Sequence, residues 1–83
     1  MEEKEAERVV RQALFAVIGH DPADIDLEDN LLAIGILDSI DSMKLLFEID
    51  KTVGEKVIQD HELGLETFKF SYLVKAVSQV LKR

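Results

Sequence analysis

Apolar residues recur in this chain at helical spacing three times, and that periodicity limits the fold to a small bundle of helices. Ala6, Val9, Val10, Ala13, Leu14 and Val17 fall at i, i+3, i+4, i+7, i+8 and i+11, one stripe along a helix from Glu2 to Ile18. Gly19 stops that helix and Pro22 follows just beyond. Asp38 suits the N-cap of a second helix that runs to about Val53, where Gly54 ends it. Asp41, three residues on, is a short version of the capping-box partner. Ser71 can cap a last helix to about Lys82, with Leu73, Val77, Val80 and Leu81 as its buried stripe. Thr67 to Phe70 alternates like a strand but has no partner strand, so the connection 55–67 is read as a loop with one short helical turn near 66–70. The expectation is an all-α, single-domain chain over residues 1–83: a four-helix bundle of three main helices and one short helix.

Between the first two helices lies a long loop, residues 20–38, in which Ile25, Leu27, Leu31 and Leu32 are expected to point inward. Loops of this length are uncommon in compact domains and tend to be functional. Charge concentrates there. Residues 1–19 sum to −1 and residues 43–83 to +1, while residues 20–42 carry seven carboxylates and no Lys or Arg. The whole net charge of −7 therefore belongs to this loop and the helix start that follows it. Such a block disfavours phosphate backbones and anionic headgroups, which argues against nucleic acid and membrane partners. It suits steering of basic partner proteins.

No cysteine is present, so disulfides, thiolate metal sites and a protein thiol nucleophile are excluded. The first residues, Met-Glu-Glu-Lys-Glu-Ala-Glu, lack the apolar core of a signal peptide, and the longest apolar run is far short of a membrane span. These features predict a soluble, cytoplasmic monomer without a membrane span.

The second helix is more apolar than an amphipathic helix needs to be. Leu45, Leu46, Ile49 and Val53 supply a core-facing stripe, and Ile40, Met43 and Phe47 make a second stripe on another side. A central helix covered on both sides would need both. An exposed second stripe would instead meet partners, a role that suits Met and Phe.

Ser39 stands at the first position of that helix, where free backbone N–H groups and the positive end of the helix dipole favour a phosphate. The stretch Leu31-Leu32-Ala33-Ile34-Gly35-Ile36-Leu37-Asp38-Ser39-Ile40-Asp41-Ser42-Met43-Lys44-Leu45-Leu46 resembles the core motif of acyl carrier proteins. In that family a Leu-x-x-x-Gly approach leads to an Asp-Ser-apolar triplet and an amphipathic helix. The resemblance implies that Ser39 carries 4′-phosphopantetheine, installed from coenzyme A by a phosphopantetheinyl transferase. Acyl groups of fatty acid, polyketide or related specialised biosynthesis would ride on it as thioesters, passed between acyl-loading and acyl-processing enzymes. It further implies a discrete carrier that is not an enzyme, with Asp38 as helix cap and transferase-recognition residue and Ile40, Asp41, Met43 and Phe47 as partner-recognition residues.

A second triplet of the same form, Asp41-Ser42-Met43, follows at once. Ser42 lies one turn into the helix, where its hydroxyl can bond back to a carbonyl, so Ser39 is the expected attachment point. The chain departs from relatives with continuous acids along this helix, because it carries Lys44 and Lys51 beside Glu48 and Asp50. Its Leu-Asp-Ser form is also similar to D-alanyl carriers, which leaves an aminoacyl cargo as the alternative. From another class, the rival is an acidic helical interaction domain with no cofactor.

Other chemistry fails on spacing. Asp24, Asp26 and Glu28 suggest a calcium loop, but Asp29 and Gly35 stand where an EF-hand needs Gly and Glu. His20 and His61 are 41 residues apart, so no metal site is predicted. A Ser39–His61–Asp60 triad would lack an oxyanion hole and a substrate pocket.

Overall fold

The computed structural model describes residues 2–22 and 24–82. Three α-helices form: α1 (Glu2–Ile18), α2 (Ser39–Val53) and α3 (Phe70–Leu81). Two 3-10 turns, Asp60–Glu62 and Leu65–Phe68, lie between α2 and α3, and no strand is formed among the described residues. The single short helix expected near 66–70 is thus a 3-10 turn, with another turn before it. Thr67 explains the second turn: its hydroxyl accepts the Gly64 N–H at 3.0 Å and donates to the Glu62 carbonyl at 2.7 Å. Those bonds tie the segment into tight local turns and not into an α-helix.

α1 packs against both α2 and α3, and one core joins all three. Ala6, Val10, Ala13 and Leu14 come from α1; Leu45, Leu46 and Ile49 from α2; Phe70, Leu73, Val74, Val77 and Val80 from α3. The apolar stripes read from the sequence are therefore the buried faces, with Val9, Val17, Val53 and Leu81 half-covered at their edges. No described helix is long and apolar enough to cross a membrane.

Two expectations are corrected at the start of α3. The helix begins at Phe70, and Ser71 lies inside its first turn without capping it. Backbone carbonyls of the long loop do that work instead. The Phe70 N–H donates to the Asp29 carbonyl at 2.8 Å and the Ser71 N–H to the Leu27 carbonyl at 2.9 Å. Once those amides are satisfied, a hydroxyl cap is unnecessary. The same contact corrects Leu27. Its carbonyl turns to α3 and its side chain is left exposed, whereas Ile25 and Leu31 are buried and Leu32 is half-buried. As expected, Thr67 to Phe70 forms no strand; its alternation leaves one isolated antiparallel bridge, Asn30 with Lys69.

The long loop is held at several points. Arg11 donates to the Pro22 and Ile25 carbonyls at 3.1 and 3.3 Å, while its guanidinium lies 5.2 Å from the centre of the Phe70 ring. Asn30 accepts the N–H groups of Leu32 and Ala33 and donates to the Leu65 carbonyl at 2.7 Å. Lys69 pairs with Glu28 at 3.0 Å. Gly35, at φ 82, then lets the chain reverse so that Ile36 and Leu37 N–H groups both reach the Leu31 carbonyl at 3.1 Å.

Candidate functional site

Leu37 is buried and anchors the chain immediately before the α2 start. Asp38 follows in an extended conformation, φ −95 and ψ −174, and its Oδ1 accepts the Asp41 N–H at 2.7 Å. Its carbonyl accepts the Ser42 N–H at 2.9 Å. That is an N-cap of the expected kind. The return half of a capping box is missing: the Asp41 carboxylate makes no bond to the Asp38 N–H, because an Asp side chain is one methylene shorter than the Glu that reaches back.

Ser39, next in line, is exposed, and its hydroxyl has no hydrogen-bond partner among the described residues. The Ser39 and Ile40 N–H groups are likewise free, as expected in a first helical turn. Ser42 has the opposite environment. It is 4% exposed, and its hydroxyl donates to the Ser39 carbonyl at 2.7 Å. Two identical-looking triplets thus place one serine outward and the other into the helix.

Beside Ser39 the outward face of α2 is apolar. Ile40, Met43 and Phe47 are 68%, 54% and 65% exposed, and Ile34 in the approach loop is also exposed. Asp41 is half-buried at the edge of this face. Among the other charges, Lys51 is 3.8 Å from Glu48 and Asp50 is turned inward, its Oδ1 accepting the Val57 N–H at 2.9 Å. His20 and His61 are exposed, and neither is brought to Ser39 by any described contact.

Residues 8–67 match the family described as the phosphopantetheine attachment site, which is more than half of the chain. The chain belongs to that family. The match runs from inside α1 to the second 3-10 turn, so it contains the loop, the cap and all of α2. No curated protein and no solved structure matches. Proteins of this family carry 4′-phosphopantetheine covalently on a serine and hand its cargo to enzymes, so this protein is a phosphopantetheine carrier and not itself an enzyme. The residues at the α2 start fit the group. An exposed, unbonded hydroxyl, two free N–H groups and the positive end of a 15-residue helix all suit a phosphodiester.

Sequence reasoning missed the residues that hold the carrier's loop in place. Arg11 and Asn30 reach across the chain, so nothing in their own neighbourhoods revealed their long-range partners. Asn30 did carry a local signal, because Asn before an apolar run commonly forms a turn with backbone N–H groups two and three residues on.

Proposed function

We propose that Ser39 is the attachment point and that the protein carries acyl groups for fatty acid, polyketide or related specialised biosynthesis. One observation carries the assignment: of the two serines in the repeated triplet, only Ser39 leaves its hydroxyl exposed and unbonded. In loading, Ser39 Oγ attacks the pantetheine-bearing phosphorus of coenzyme A. An Oγ–P bond forms, the bond to the bridging oxygen breaks, and adenosine 3′,5′-bisphosphate leaves. The serine proton passes to a base on the transferase. Asp38 keeps the α2 start wound, and the positive helix end faces the new phosphodiester.

The arm supplies a thiol that holds the cargo as a thioester, which suits a chain that has no cysteine of its own. Ile40, Asp41, Met43 and Phe47 form the surface on which the transferase and the acyl-handling enzymes dock. The protein works as one monomeric domain, with the two 3-10 turns in place of the family's short helix. Incubation with coenzyme A, Mg²⁺ and a broad-specificity transferase should add one phosphopantetheinyl unit per chain, by intact mass. Ser39→Ala should add none and Ser42→Ala should load. An unchanged wild-type mass with several transferases would leave the acidic interaction domain as the better reading.

A further inference from the structure

The Asn30 side chain works in two directions at once. Its Oδ1 accepts the N–H groups of Leu32 and Ala33 at 3.0 and 3.1 Å, and its Nδ2 donates to the carbonyl of Leu65, 35 residues later, at 2.7 Å. Only one orientation of the amide serves, because two donors face its oxygen and a carbonyl faces its nitrogen. An Asp in its place would keep the acceptor and lose the donor. An Ala would lose both.

Both sets of bonds bear on the approach to Ser39. With Oδ1 holding the two amides and the Asn30 carbonyl accepting the Ile34 N–H at 3.0 Å, residues 30–34 wind into a turn. The Leu31 carbonyl inside it takes the Ile36 and Leu37 N–H groups, and buried Leu37 leads directly into the Asp38 cap. The Nδ2 bond, with the Leu31 N–H on the Phe68 carbonyl at 2.8 Å, fastens this turn to the 3-10 turn Leu65–Phe68. A continuous series of bonded residues thus runs from the second 3-10 turn to the serine. Ser39 is the terminal residue of α2 and its own N–H is unbonded. Its place relative to the rest of α2 therefore depends on the segment ahead of it as well as on the helix behind it.

We infer that Asn30 is a positioning residue for loading: by tying the approach turn to the Leu65–Phe68 turn, it holds the Ser39 hydroxyl in register with the body of α2. The inference rests on Ser39 as the loaded residue and on α2 as the surface the transferase meets. Transfer needs Ser39 Oγ in line with the phosphorus, and a misplacement of about 1 Å can slow such a step by up to about 100-fold. Docking on side chains further along α2 is less exacting. Loss of the tie should slow transfer more than it weakens docking.

The test is single-turnover loading from coenzyme A with Mg²⁺ and excess broad-specificity transferase, at a temperature where every variant is folded. It gives a saturated rate and the transferase concentration that reaches half of it. Asn30→Ala should lower the saturated rate about 10-fold. Its half-saturating concentration should move by less than about 2-fold. Asn30→Asp, which keeps the turn but not the tie, should slow loading about 3-fold, undiminished in about 0.5 M NaCl, where an effect of the added charge would be screened. Val80→Ala truncates a buried side chain in the last turn of α3, and should lower the melting temperature yet load at the wild-type rate. Equal slowing by Val80→Ala and Asn30→Ala would reduce Asn30 to a stability role and overturn the inference. So would a saturated rate in Asn30→Ala within about 2-fold of wild type, or a loss confined to the half-saturating concentration. A wild-type rate in Asn30→Asp, or a slowing that salt abolishes, would overturn it too, since the tie to Leu65 would then count for nothing. Where Asn30→Ala fails to fold, Asn30→Asp decides on those terms. All these outcomes leave the carrier reading intact; absence of wild-type loading with several transferases defeats that reading, and the inference with it.

Discussion

The starts of α2 and α3 both carry a serine in the first turn, yet only at α2 are the first backbone amides left free. At α3 the loop closes over the helix start, and its carbonyls at Leu27 and Asp29 take the N–H groups of Ser71 and Phe70. At α2 an Asp side chain caps from below, the amides of Ser39 and Ile40 are left free, and the serine faces solvent. The helix start proposed as the attachment point is the one whose own N-cap side chain does the capping and whose first amides no other segment takes. The same loop produces both outcomes, since it is pinned to α3 before it turns at Gly35 toward α2.

Breaking the support beneath α2 should have the largest effect. Leu45→Ala or Ile49→Ala removes a fully buried side chain and should cost about 2–5 kcal/mol in chemical denaturation. If either cost under 1 kcal/mol, the buried stripe would not be what fixes α2. Asn30→Ala tests the pin between the loop and the second 3-10 turn. It removes three hydrogen bonds and should cost about 1–3 kcal/mol, with faster amide exchange at Leu32 and Ala33. Asp38→Ala should cost about 1 kcal/mol as a lost N-cap, whereas Ser71→Ala should have almost no effect, because α3 does not use that hydroxyl as a cap. Equal losses at the two positions would erase the contrast.

Exposed positions define the small end of the scale. Met43→Ser and Phe47→Ser should change stability by no more than about 0.5 kcal/mol, as surface sites do. Large losses there would mean that α2 is buried on both sides. The Lys69–Glu28 pair should give the smallest and most conditional effect. The Glu28 carboxylate, by its hydrogen bond and then its charge, holds the Lys69 ammonium above its ordinary 10.5. A raised folded value means the contribution is present below about pH 10.5 and lost as pH climbs through the folded value. Wild type should therefore exceed Glu28→Gln in melting temperature at pH 8, lose that margin above the folded value, and lose part of it in high salt.

Helices and caps were legible because their signals are local. The stripes at Ala6–Val17 and Leu45–Val53, the Asp38 cap and the Gly54 stop each depend on residues within a turn or two of one another. What the sequence hid depends on contacts far apart in the chain. Leu27 looked inward-facing because it is apolar, but its backbone was claimed by Ser71, 44 residues later. Ser71 looked like a cap because of its residue type, and the loop made that unnecessary. At the site itself, the orientation of Ser42 followed from its place one turn into α2, whereas the inward turn of Asp50 onto the Val57 N–H did not.

The central claim is that the cap and the uncovered first turn of α2 make Ser39, and no neighbouring serine, the modified residue. Its most direct test is peptide mapping of the loaded chain by tandem mass spectrometry, in which the fragment series separates Ser39, Ser42 and Ser71. The phosphopantetheinyl mass should lie on Ser39 alone. A modification found on Ser42 or Ser71, or divided between Ser39 and either of them, would contradict it.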